Sequence, residues 1–314
     1  MLLVTGATGF VGSVLCAQLE TQGRQFRRIV RRTSGEQKEC STEVIPNIDG
    51  SVDWSKALDG VTHIIHLAAR VHLLDDQALD PLIEYRQVNV QGTVNLARQA
   101  AQAGVKRFVF VSSVKVNGES TQLGRPFTAD DTPSPEDPYG VSKYEAEKEL
   151  LRLARDVDME VVIVRPPLVY GPGVKANFER MMHWVSKGLP LPFGAITNNR
   201  RSLIAVDNLV DLLIRCADHP KAAGRIFMAS DGEDLSTKAL LCRLGIAMKQ
   251  PVYLWPVPSS ILNVFATLLG KAKIADRLLG SLQVDIGETR RLLNWSPVIG
   301  VDEALKQAVF GRVA

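Results

Sequence analysis

Tyr139 and Lys143 stand four residues apart in Tyr139-Gly140-Val141-Ser142-Lys143, and a serine pair, Ser112-Ser113, ends the apolar run Arg107–Val111 upstream of them. A tyrosine whose pKa is the ordinary ~10 is a poor acid or base at neutral pH. An ammonium one helical turn away favours the phenolate and brings that value down. Ser113 then orients the substrate oxygen, and Lys143 is also placed to hold a ribose. Near the N-terminus lies a second group, Gly6-Ala7-Thr8-Gly9-Phe10-Val11-Gly12. Glycines at this spacing suit a tight turn, a close pyrophosphate and a helix packed onto its strand. Together the two groups point to hydride transfer at a carbon bearing a hydroxyl or a ketone. Ser113, Tyr139 and Lys143 are the candidate catalytic residues. Gly6, Gly9, Phe10, Val11 and Gly12 are candidate dinucleotide contacts.

These residues need a strand before each turn and a helix after it. Leu2–Thr5 reads as a buried strand, and Ser13–Leu19 has apolar positions at helical spacing. Further strands are expected at Gln25–Val30, Glu43–Ile45, His63–Leu67, Arg107–Ser112 and Glu160–Arg165, with long helical patterns over Ile83–Ala103 and Tyr139–Arg155. This alternation predicts an α/β fold, a doubly wound parallel sheet. Ligands then bind beyond the carboxyl ends of the strands, where Ser113 would sit. After Arg165 proline and glycine become frequent. Arg225–Ala229 reads as a strand returning to the sheet, and the chain from Ser236 on is mostly helical. The expected division is a dinucleotide-binding domain of residues 1–165 plus about 202–232, and a smaller, partly interleaved substrate domain of 166–201 and 233–314.

The 314 residues are 46% hydrophobic and 23% charged with a net charge of +3, which suits a globular enzyme and gives no nucleic-acid footprint. Cys16, Cys40, Cys216 and Cys242 are scattered, with no CxxC and no nearby histidine, so no metal is expected and a reducing compartment is. The first residues already read as a strand, without a signal peptide. The apolar stretch Ile261–Leu269 is far shorter than the ~20 residues of a membrane span. The expectation is a cytoplasmic protein.

The chain resembles the extended short-chain dehydrogenase/reductase family of nucleotide-sugar epimerases, dehydratases and reductases over nearly its whole length. The resemblance rests on the GxxGxxG turn, His66-Leu67-Ala68-Ala69, Asn89-Val90-Gln91-Gly92-Thr93, Ser112-Ser113, Tyr139-x-x-x-Lys143, Arg165-Pro166 and Val169-Tyr170-Gly171-Pro172-Gly173. It implies a Rossmann-type sheet. It also implies that Leu67, Ala68 and Ala69 line the cofactor, and that Asn89 braces the serine-bearing strand and approaches the cofactor. Asn47 and Ile48 would hold the adenine, with Asn47 where the family has Asp. On the substrate side it implies diphosphate contacts from Asn177 and Arg201 and a uridine contact from Phe193. Guanidinium suits the diphosphate because its fork of donors matches the oxygens. Asn117 stands where the family often has Tyr, and Leu168 where it has Asn. No Asp–Glu pair follows Ser113, which disfavours a dehydratase. Lys115-Val116-Asn117-Gly118 resembles a subgroup linked to bacterial surface-polysaccharide sugars.

At the end of the second strand, Arg31-Arg32-Thr33-Ser34 offers donors and no carboxylate. A carboxylate repels a 2′-phosphate and arginines attract it, so NADP is favoured over NAD. Arginines there shift weight toward a reductase, which consumes reduced cofactor. The first expectation is therefore reduction of a UDP-4-keto-6-deoxy-N-acetylhexosamine at C4. The alternative is 4-epimerisation of UDP-glucose or UDP-N-acetylglucosamine. A non-catalytic dinucleotide-binding protein and a steroid-type ketone reductase are further readings. The intact Ser113/Tyr139/Lys143 set argues against the former and Asn177 and Arg201 against the latter. Family analogy also suggests a homodimer built on the two long helices.

Overall fold

The computed structural model describes residues 1–32, 41–71, 80–270 and 272–311. Its strands are β1 (Leu2–Thr5), β2 (Phe26–Val30), β3 (Ser41–Val44), β4 (His63–His66), β5 (Arg107–Val111), β6 (Glu160–Arg165), β7 (Leu168–Tyr170), β8 (Arg201–Ala205), β9 (Ile226–Met228) and β10 (Asp234–Leu235). The helices are α1 (Phe10–Thr21), α2 (Ser55–Leu58), α3 (Pro81–Tyr85), α4 (Thr93–Gln102), α5 (Pro138–Asp156), α6 (Ala176–Ser186), α7 (Val206–Asp218), α8 (Thr237–Met248), α9 (Ser259–Leu268), α10 (Ala272–Leu279), α11 (Gly287–Leu293) and α12 (Val301–Phe310).

Seven strands form one parallel sheet in the order β3-β2-β1-β4-β5-β6-β9. The order reverses at β1. Leu2 pairs with Phe26 on one side and His63 on the other, so the crevice between the β1 and β4 ends is the switch point where ligands bind. The central strands are apolar on both faces because helices cover both. Leu15, Leu19, Leu209 and Leu213 of α1 and α7 pack one side, and Leu96, Ala100, Ala146 and Leu150 of α4 and α5 pack the other. The expected doubly wound sheet is present, with boundaries moved by a residue or two.

Two features depart from the sequence expectation. The predicted helix over 83–103 is three pieces, because Arg86–Gly92 between α3 and α4 is a π-helix. A Cβ on Gly92 would lie 2.7 Å from Ile48 Cγ2, so the loop after β3 presses on this turn. Such widened turns gather at functional sites. The second departure is a small sheet, β10-β8-β7. Its strands are too short and too far apart in the chain to leave a periodic signature. With α6, α8 and α12 it encloses a separate core including Tyr170, Phe178, Leu241, Leu244 and Leu305. β8 lies in this small sheet, whereas α7 directly after it covers the large one. No helix among the described residues is long and apolar enough to cross a membrane.

Candidate active site

The glycine turn joins β1 to α1. Gly6 adopts φ +69°, open to glycine at no steric cost. A Cβ on it would lie 2.8 Å from the Ala68 nitrogen, since Leu67–Ala69 cross the turn as they leave β4. A Cβ on Gly12 would lie 2.1 Å from the Gly6 carbonyl oxygen. α1 therefore starts directly against the turn, and Gly9 stands at its N-cap without any capping side chain. The first amides of a helix have no intrahelical acceptor. A bare N-terminus at the switch point, walled by backbone, fits a dinucleotide pyrophosphate. Phe10 and Val11 face inward, Phe10 between the cores of the two sheets and Val11 onto the large-sheet core. The Ser112 hydroxyl, buried at the end of β5, has no hydrogen-bond partner among the described residues. It is a free polar group on the same rim.

Ser113, Tyr139 and Lys143 belong to β5's exit and the first turns of α5. Ser113 starts a 3₁₀ turn, Val114–Val116, and its hydroxyl oxygen accepts from the Lys115 amide at 3.2 Å. Asp137 caps α5 by accepting from the Gly140 amide at 2.7 Å, and Pro138 occupies the first helical position. Lys143 is 2% exposed. Its ammonium donates to the Val111 carbonyl at 2.8 Å and lies 4.4 Å from the Phe110 ring centroid. Burial brings its pKa down to about 7, opposed by the Glu147 carboxylate. The Tyr139 phenol goes the other way from the sequence expectation. Burial, then the charges of Asp137 and Tyr85, push its pKa up. The ammonium meant to lower it donates to the Val111 carbonyl, while the helix cap Asp137 acts on the phenol in the opposite sense.

Asn89, 1% exposed within the π-helix, does not bond strand β5. Its carbonyl accepts from the Arg70 amide at 2.8 Å, and its amide donates to the Arg70 carbonyl and to Ser142 Oγ at 3.0 Å. It ties the segment after β4 to α5. Behind this layer, Arg165 makes a two-pronged ion pair with Glu147, at 3.0 and 2.6 Å, and donates to Asn117 Oδ1 at 3.1 Å. That contact accounts for Asn117, whose amide also donates to the Thr128 carbonyl. His66 bridges Thr5 Oγ1 and Thr93 Oγ1, and burial holds its pKa at about 3, so it is a neutral core residue.

Arg31 and Arg32 are exposed at the end of β2, and Asn47 is exposed after β3 with Ile48 half-buried. Thr33, Ser34 and Cys40 lie outside the described residues. On the other side of the crevice, Asn177 stands in the first turn of α6. Phe193 stacks on Trp184 of the same helix, with centroids 6.3 Å apart. Arg201 begins β8 and donates to the Gly280 carbonyl at 3.3 Å. Burial and then the Arg277 guanidinium lower its pKa to about 10, with Glu119 opposing. Two like charges held close inside the protein call for an anion. Arg277, on α10, escaped the sequence reading because no motif surrounds it.

The family described as "NAD dependent epimerase/dehydratase family" matches residues 2–229. A Vibrio cholerae protein named "UDP-glucose 4-epimerase" is 49% identical over 306 residues, covering 98% of this chain and 93% of its own. A short-chain dehydrogenase/reductase superfamily protein from Agrobacterium tumefaciens, solved with bound NAD, superposes with a TM-score of 0.76 at 25% identity, over 99% of this chain and 96% of that one. The UDP-N-acetylglucosamine 4-epimerase from Bacillus cereus shares the fold, with a TM-score of 0.80 at 19% identity over 98% and 97%. A glycine turn at the switch point, a Tyr–Lys pair behind a serine and this length of match have one common account: the chain is an enzyme of the NAD-dependent epimerase/dehydratase family, within the short-chain dehydrogenase/reductases.

Proposed function

We propose that the protein inverts C4 of a UDP-hexose or UDP-N-acetylhexosamine by oxidising it to a 4-ketone and reducing it from the other face. The observation that carries this choice is the 49% identity, over 98% of the chain, to a protein named UDP-glucose 4-epimerase. It favours epimerisation over the 4-ketoreductase expected from the sequence. In this reading the α1 amides and Gly6, Gly9, Phe10, Val11 and Gly12 hold the cofactor diphosphate. Asn47 and Ile48 hold the adenine, and Leu67–Ala69 and Asn89 wall the crevice. NAD, when bound, supplies a reversible acceptor for hydride. Tyr139 takes the proton from the C4 hydroxyl and returns it, Ser113 fixes that oxygen, and Lys143 holds the nicotinamide ribose. Arg201, with Asn177, grips the substrate diphosphate and Phe193 packs on the uracil. The proposed division of labour follows the sequence one, a cofactor domain of 1–165 plus about 202–232 and a substrate domain of 166–201 and 233–314, except that β8 goes with the substrate side because it lies in the small sheet.

A second reading keeps a specific observation in its favour. Arg31 and Arg32 are exposed at the 2′ end with no carboxylate in the Arg31–Ser34 stretch, which suits NADPH and the reduction of a UDP-4-keto-6-deoxy sugar. One experiment separates the two. UDP-glucose and UDP-N-acetylglucosamine are incubated without reductant and followed by NMR for inversion at C4. UDP-4-keto-6-deoxy-N-acetylglucosamine is given with NADPH or NADH and followed by absorbance. Inversion without reductant is the expected result, and stoichiometric loss of NADPH without inversion overturns it. In either reaction Tyr139→Phe should lower turnover by about 10²-fold or more while leaving cofactor binding intact.

A further inference from the structure

Two segments, the turn after β5 and the cap of α5, meet at the start of α5. The Lys115 ammonium donates to Glu119 Oε1 at 2.8 Å and pairs with Asp137 Oδ2. The other Asp137 oxygen caps the helix at Gly140. All three charged side chains are about four-fifths buried, at 20%, 24% and 19% exposure. The contact is also one of backbone, since a Cβ on Gly140 would lie 2.8 Å from the Lys115 carbonyl oxygen. Tyr139 lies between the two residues so gripped, Asp137 and Gly140. One ammonium thus serves two carboxylates.

We infer that Lys115 is a positioning residue for Tyr139: it pins the first turn of α5 to the turn after β5 and offsets the negative charge that Asp137 sets beside the phenol. The inference rests on the reading of Tyr139 as the acid/base. An exposed pair would be worth little, but this one is screened from solvent and is shared with the helix cap. Among the described residues the charge of Asp137 at the cap of α5 and Tyr85 on α3, at 6.1 Å between ring centroids, act on Tyr139; Lys143 follows one turn on along α5, and Lys115, shared with Glu119, bears on the phenol through Asp137. Arg70 lies over the far ring, Tyr85. Asp137 raises the proton affinity of Tyr139 even with Lys115 in place. Glu119, which shares the Lys115 ammonium, also acts on Arg201.

The signs of two substitutions then oppose each other. Lys115→Met leaves the Asp137 carboxylate unopposed, so the pH limb of turnover assigned to Tyr139 should move up by about one unit. Asp137→Asn removes one carboxylate and keeps a good cap, so the limb should move down. Lys115→Arg should restore the wild-type profile. A role confined to stability predicts no opposed shifts. The measurement is the pH–rate profile of the full-length enzyme. Alongside it, the Tyr139 phenol is titrated by ultraviolet difference absorbance against Tyr139→Phe, which needs no turnover. If Lys115→Met does not fold, the downward shift in Asp137→Asn decides alone. Superimposable profiles and titrations in the folded variants, with Tyr139→Phe inactive, overturn the inference and leave the acid/base reading standing. An active Tyr139→Phe overturns both.

Discussion

The glycine turn and the cluster around Tyr139 lie on one crevice and are built in opposite ways. At Gly6–Gly12 there is almost no side-chain chemistry. Backbone meets backbone at distances only glycine allows, within the turn itself and against Leu67–Ala68. Around Tyr139 the backbone is an ordinary capped helix, and the work falls to charges from three segments: Lys115 and Glu119 after β5, Asp137 and Glu147 of α5 and its cap, and Arg165 on β6. A region of the first kind tolerates changes of charge nearby but no added atom. One of the second kind tolerates changes of shape but no unpaired charge. The comparison breaks if either region responds to the wrong kind of change.

The largest effect belongs to Gly12→Val. The added atoms would overlap the Gly6 carbonyl, and neither backbone segment is free to move. A loss of more than about 4 kcal/mol of stability, or no folded protein, is expected. Thermal unfolding and NAD titration would read it, and a near-normal Tm would mean that the turn gives way easily. Next comes Glu147→Leu, which leaves Arg165 buried at 2% exposure without its carboxylate. Removing one partner of a buried pair costs about 3–5 kcal/mol, measurable by denaturant unfolding. The same change removes a charge that supports the Lys143 ammonium. Relative to wild type, cofactor affinity should therefore fall most just below pH 7, where only the wild-type lysine is still charged, and least at low pH, in the folded fraction.

Arg201→Ala sharpens the comparison on the substrate side. Loss of a charge-assisted contact should weaken UDP by about 1.5–3 kcal/mol, read by calorimetry. Unchanged affinity would make Arg201 a structural residue of β8 held by Gly280. The smallest effect is expected for Arg31→Ala/Arg32→Ala. Both arginines are exposed, and if NAD is the cofactor its affinity should change by about 0.5 kcal/mol or less. A marked loss of NADPH binding with NADH untouched would instead restore the 2′-phosphate reading.

The sequence by itself determined the parts whose partners are neighbours in the chain. The β1–turn–α1 unit, Ser113 at a strand end and the Tyr139–Lys143 spacing are local patterns, and the parallel sheet follows from strands that alternate with helices. The Asp137-Pro138 cap was equally local and equally legible, though its carboxylate matters only because Lys115 reaches it. Other features were decided by tertiary structure alone. Asn117 acquires a purpose only when β6 brings Arg165 against α5. Arg277 acquires one only when α10 folds beside β8. The π-helix around Asn89 appears where Ile48 from another loop presses on Gly92. The raised proton affinity of Tyr139 reverses a local expectation. A spacing of four residues promised it an ammonium, but the folded chain gave that ammonium to the Val111 carbonyl and left burial and the Asp137 carboxylate to act on the phenol. Charge interactions fall off with distance in space and strengthen with burial, and neither quantity is written in the order of residues.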